Sequence, residues 1–109
     1  MFVGVATLTL HIPGARSLKD KRSVIRSFKD RVAARLSVSI AEVGAYDQLQ
    51  RAVFGVAVVS NDRAVCDEVL AKVVAMAGTL RDAVLADVRT ESVPFGDGGS
   101  GITGTAWEA

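Results

Sequence analysis

The residues of this chain best suited to chemistry are cations. From Arg16 to Leu36, eight of the thirteen Lys and Arg side chains stand against two carboxylates, a local charge of +6 where the remainder of the chain carries −5. Such segregation speaks of partners rather than of fold. Lys19, Arg22, Arg26 and Lys29 follow one another at the helical spacing i, i+3, i+7, i+10, which makes them neighbours on one ridge. Arg16 and Lys21 thicken its N-terminal end, and Arg31 and Arg35 fall on the opposite flank. Cations this close repel one another, so the ridge mildly destabilises an isolated helix unless phosphate or carboxylate is near. It suits nucleic-acid phosphates, which Arg and Lys meet by charge-assisted contacts and counterion release without reading sequence. A solvated helix face and a dock for an acidic protein are the two other readings the pattern leaves open.

Other chemistry is hard to assemble. His11 is the only histidine and Cys66 the only cysteine, so neither an intrachain disulfide nor a metal set at ligand spacing is expected. Cys66, beside Val65, Val69 and Leu70, reads as a small core residue, and His11, beside the Pro13-Gly14 turn, either touches phosphate or closes a hydrogen bond, the structural role being the favoured one. Glu42, Asp47, Asp62 and Asp67 lack the spacing of a calcium loop. Gly96, Gly98 and Gly101 formally match a dinucleotide fingerprint, but the eight residues that follow cannot supply the helix it needs. With no nucleophile–base pair, carboxylate pair or metal cluster, the expectation is a non-enzymatic protein without a cofactor.

The elements that must carry the ridge are legible from periodicity. Residues 2–12 are rich in β-branched and aliphatic types and read as a strand ending at Pro13-Gly14. Ser17, with Asp20 three residues on, reads as an N-cap opening a helix from Leu18 to Leu36. Residues 37–45 alternate as a half-buried strand, Tyr46–Gln50 form a polar connection, and residues 51–60 are apolar on both faces, as in a central strand. Asn61 or Asp62 caps a second helix in which Val65, Val69, Val73, Ala77 and Leu80 recur. Residues 82–94 read as a charged edge strand.

The order βαββαβ, with right-handed crossovers, predicts an α+β ferredoxin-like two-layer sandwich with antiparallel sheet order 4-1-3-2. That order puts the two most apolar strands at the centre. One domain over residues 1–94 suits a chain of 109 residues, and the glycine-rich stretch 95–109, with Trp107, reads as a flexible tail. Phe2 and Phe54 make no two-aromatic platform, so base stacking on the sheet is not expected. The second apolar face of the strand at 51–60 should be covered, by a second subunit in a two-fold dimer. Either Phe54, Val56 and Val58 or Val53, Ala57 and Val59 turn away from the helices, and the first set is taken as the interface. No apolar run approaches a membrane span and no signal-peptide pattern opens the chain, so a reducing cytoplasm is expected.

Residues 11–22, HIPGARSLKDKR, and 41–62, AEVGAYDQLQRAVFGVAVVSND, resemble the bacterial YlxP-like family, a domain of unknown function also catalogued as DUF503. The resemblance spans residues 1 to about 94. It implies a ferredoxin-like sandwich, frequent dimerisation and no established activity. Members are often encoded near initiation factors and a ribosome-maturation factor, which implies a role around RNA or the ribosome. Leu49 stands where the family often has Trp, which removes a stacking surface, and the glycine-rich extension departs from the usual short C-terminus. The leading expectation is therefore binding of structured RNA, ribosomal RNA among the candidates, or of a ribosomal surface through Lys19, Arg22, Arg26 and Lys29, with Arg16 and Lys21 beside them. The alternative is a homodimeric interaction module with no nucleic-acid role.

Overall fold

Every element can be traced to the local chemistry that starts or stops it. The computed structural model describes residues 1–96, in the order β1 (Phe2–His11), α1 (Leu18–Arg35), β2 (Ser39–Gly44), β3 (Arg51–Ser60), α2 (Arg63–Gly78) and β4 (Val84–Pro94). The expectations for the tail beyond Gly96, Trp107 included, fall outside the described residues. Ser17 caps α1 by accepting from the Asp20 N–H at 3.1 Å, while the Asp20 carboxylate accepts from the Arg16 N–H at 3.0 Å. This reciprocal arrangement satisfies donors that a helix start leaves orphaned. At α2 it is Asp62 that caps, accepting from the Ala64 N–H at 2.9 Å.

The four strands form one antiparallel sheet in the order β2-β3-β1-β4, which is the expected 4-1-3-2 order read from the other edge. β2 is shorter than its alternation predicts, because Ser37 and Val38 belong to the connection from α1. β4 starts two residues later than expected, at Val84. The β1–β4 ladder runs one pair beyond the strands, where the Phe95 N–H donates to the Met1 carbonyl at 2.8 Å.

Both helices lie on one side of the sheet, α1 over the β2 side and α2 over β1, β3 and β4. Leu8 and Leu10 of β1, Ala52 and Phe54 of β3, Phe28 and Val32 of α1, and Cys66 and Val73 of α2 are fully buried there. Each large apolar side chain so buried contributes about 1.5–3 kcal/mol. Phe28 and Phe54 meet edge to face with ring centroids 5.2 Å apart, joining α1 to the central strand. Gly4 lets α2 approach β1, since a Cβ there would come within 3.0–3.1 Å of Val58, Cys66 and Leu70 atoms.

This arrangement corrects the expected interface. Phe54, Val56 and Val58 point at the helices and are buried within the chain, so they cannot form a dimer surface. Side chains alternate along a strand, so the face turned away carries Val53, Gly55, Ala57 and Val59 of β3 with Val3, Val5, Thr7 and Thr9 of β1. The physical reason is volume: the parity with Phe54 fills the space under two helices, and the parity with Gly55 and Ala57 does not. Phe2 and Phe54 both share the parity that turns toward the helices.

Candidate nucleic-acid interface

α1 buries little of its own length. Among its side chains only Phe28, Val32 and Lys21 are buried, and the helix turns a long charged surface outward. Lys19, Arg22 and Arg26 are exposed on that surface and Lys29 is half-buried at its β2 side, beside Arg22, Ile25 and Glu42. Arg16 is exposed just before the N-cap. None of these five makes an ion pair within 4 Å among the described residues, although α2 does form one, Lys72 with Glu68 at 3.3 Å. The helix therefore brings the ridge together, with none of its cations held in an ion pair among the described residues.

Lys21 is the exception and a correction. Its side chain is only 3% exposed, and its Nζ donates to the Ala45 carbonyl at 2.7 Å and lies 3.2 Å from Glu42 Oε2. It cannot reach a partner's phosphate. Glu42 Oε2 is itself buried and accepts no hydrogen bond among the described residues, so the Lys21 charge is what compensates it. Ala45 adopts a left-handed φ of 60°, an uncommon conformation for a residue with a Cβ, and its carbonyl is where the ammonium lands. The lysine thus fixes α1 against β2 and the turn that leaves it, and so fixes the direction in which the ridge faces. The sequence contains the signal: Lys21 stands seven and eleven residues before Phe28 and Val32, on the same arc of the helix.

A second positioning residue had no signal in the sequence. Gln50 Nε2 donates to the carbonyls of Pro13 at 3.2 Å and Ala15 at 3.3 Å, and its own carbonyl accepts from the Ile12 N–H at 2.9 Å. These partners lie 35 or more residues away in the chain, and together they hold the segment that enters α1. Tyr46 and Leu49, in the same loop, are exposed. His11 is exposed at the end of β1 opposite Arg51, and its ring makes no hydrogen bond among the described residues, contrary to the expected closing bond. Cys66 is fully buried with Sγ 3.7 Å from the Phe2 carbonyl, as a core residue should be.

No group of three or more potential ligands that could hold a metal occurs among the described residues, and no helix there is long and apolar enough to cross a membrane. The candidate site is a set of exposed cations on a clamped helix. It can attract and orient a polyanion.

Fold and surface together define a class: a small ferredoxin-like α+β sandwich that displays a basic first helix. A family model described as a protein of unknown function, DUF503, matches residues 3–90. The uncharacterized protein YlxP of Bacillus subtilis (strain 168) is 36% identical over 89 residues, which cover 82% of this chain and 97% of that protein. The chain belongs to the DUF503 family.

Proposed function

We propose that this protein binds RNA through phosphate contacts made by Lys19, Arg22, Arg26 and Lys29, with Arg16 at the entry to the helix, and that ribosomal RNA is the partner class. The observation that carries the reading is the unpaired state of these cations on one clamped surface, among the described residues. Cations held together against their own repulsion gain most from a partner that brings a regular row of negative charge. The role is one of binding, with no catalytic step assigned.

Titration against ribosomal RNA at 50 and 200 mM salt tests it. Four phosphate contacts predict an affinity loss of about 50- to 150-fold across that range. Replacing Lys19, Arg22, Arg26 and Lys29 together by Glu should abolish binding and its salt dependence. Absent binding in the unaltered protein, or unaltered binding in the variant, would falsify the reading.

A second reading rests on the open sheet face, where Val5 is 41% exposed, Val43 49% and Val59 61%. Valines grouped on an uncovered face favour a two-fold homodimer. Sedimentation over a dilution series tests it: Val59→Asp should shift a dimer toward monomer, and a compact monomer at every concentration sinks it.

A further inference from the structure

The ridge is one side of a larger feature. Ser23 and Ser27, one helical turn apart on the outward surface of α1, are exposed and short, so they leave a trough along the helix. On one side they share a groove with Lys19, Arg22 and Arg26 of the ridge. On the other side the same two serines share a groove of about 520 Å³ with Arg31 and with Arg81, from the connection between α2 and β4. Arg81 lies outside the charged run of the sequence, and the fold alone brings it here. Five cations therefore flank the two hydroxyls from both sides, against the three carboxylates of Asp20, Asp30 and Asp82, a surplus of two positive charges. Neither arginine of the second wall makes an ion pair within 4 Å among the described residues.

We infer that this two-walled trough is a site for double-stranded RNA, entered along the minor groove. The inference rests on the phosphate-binding reading above and specifies the form of RNA that it takes. A single backbone strand would need only one row of cations. An A-form duplex presents two rows of phosphates bordering a wide, shallow minor groove lined by 2′-hydroxyls. Cations, hydroxyls and cations across α1 match phosphates, hydroxyls and phosphates across that groove. The Ser23 and Ser27 hydroxyls can both donate to and accept from a 2′-OH, which DNA lacks. α1 has 18 residues and so offers a rod about 27 Å long for such contact.

The test is fluorescence anisotropy with a labelled RNA duplex, the DNA duplex of the same sequence, and one RNA strand alone, each at two salt concentrations. The RNA duplex should bind about 10-fold tighter than either competitor, as shape-and-hydroxyl recognition requires. Arg31→Glu and Arg81→Glu should each weaken duplex binding about 10-fold, and Arg31→Gln and Arg81→Gln should each lower the salt slope by about 1, the signature of one lost phosphate contact. The double variant Ser23→Ala with Ser27→Ala should bring RNA and DNA duplexes to within about 2-fold of each other while leaving the salt slope alone. All of these positions are exposed, so thermal melts should confirm that the variants stay folded.

If changes at Arg31 and Arg81 leave binding untouched while the ridge variant abolishes it, the second wall is not used and this inference fails, although the phosphate reading survives. Tighter binding of the single strand than of the duplex overturns it in the same way. If the unaltered protein shows no salt-dependent RNA binding at all, both fall together.

Discussion

The two helices cover the same sheet and are built on opposite principles. α2 buries Cys66, Leu70, Val73 and Ala77 and carries an exposed ion pair, Lys72–Glu68. α1 is the longer helix, yet it buries only Phe28 and Val32 among apolar side chains and adds a lysine to the core. α2 is held by area removed from water, spread along its length. α1 is held by two fully buried apolar anchors, by Val24 and Ile25 half-buried beside them and by one buried ion pair, and its outward surface carries cations that form no ion pair within 4 Å among the described residues. For its length α1 therefore draws less of its hold from buried apolar area than α2 does.

The largest expected effect tests whether the anchors of α1 matter as much as that account requires. Phe28→Ala removes the edge-to-face partner of Phe54 and should cost about 3–5 kcal/mol, read as the free energy of unfolding in urea. Val73→Ala in α2 should cost less, about 1–3 kcal/mol, because fewer atoms are removed and neighbouring apolar residues share the burial. Equal losses at the two sites would break the contrast between a helix held at two points and one held along its length.

Next in size is the buried pair. Lys21→Ala leaves Glu42 Oε2 buried without its compensating charge and the Ala45 carbonyl without its donor, for a loss of about 3 kcal/mol. Replacing both partners by apolar residues, Lys21→Met with Glu42→Leu, should recover most of that loss, because no orphaned charge then remains. Thermal melts of Lys21→Met, Glu42→Leu and the double variant form a cycle that reads the coupling directly. If the double variant is as unstable as Lys21→Ala, the lysine acts through its stem alone.

How far the sequence disclosed this contrast depends on which property is asked for. The strand and helix order, the Ser17 cap and the core role of Cys66 follow from local pattern, the sheet order follows from right-handed crossovers between those elements, and the structure has them all. The burial of Lys21 was written in its spacing from Phe28 and Val32, but a lysine within a basic run is read as one more surface charge. The orientation of β3 was undecidable from alternation, since both faces are apolar, and turned on the small volumes of Gly55 and Ala57. Gln50 and Arg81 owe their places to contacts between distant segments, which no local pattern encodes.

The caps offer a smaller comparison in which the helices should behave alike. Ser17→Ala and Asp62→Ala each remove one side-chain acceptor at an exposed helix start, and each should cost about 1 kcal/mol in urea unfolding. A much larger loss at Ser17 would mean that the first turn of α1, with Arg16 and Asp20 tied to it, is held by its cap rather than by Phe28 and Lys21 further on.

The smallest expected change in stability carries the opposite sign, and separates a surface kept for the fold from one kept for a partner. Lys19 and Arg22, Arg22 and Arg26, and Arg26 and Lys29 are each three or four residues apart on α1, so each pair repels by a few tenths of a kcal/mol at low salt. Arg26→Gln removes two of these repulsions against one attraction, to Asp30 four residues on, and should raise the melting temperature by about 1 °C, a gain that fades as salt is added. The same substitution should weaken RNA binding and lower the salt slope by about 1. A residue that serves the fold costs stability when it is removed, as Phe28 and Lys21 should. A residue whose removal stabilises the protein while weakening one interaction is retained for that interaction, and Arg26 is the position at which the two outcomes are most cleanly opposed.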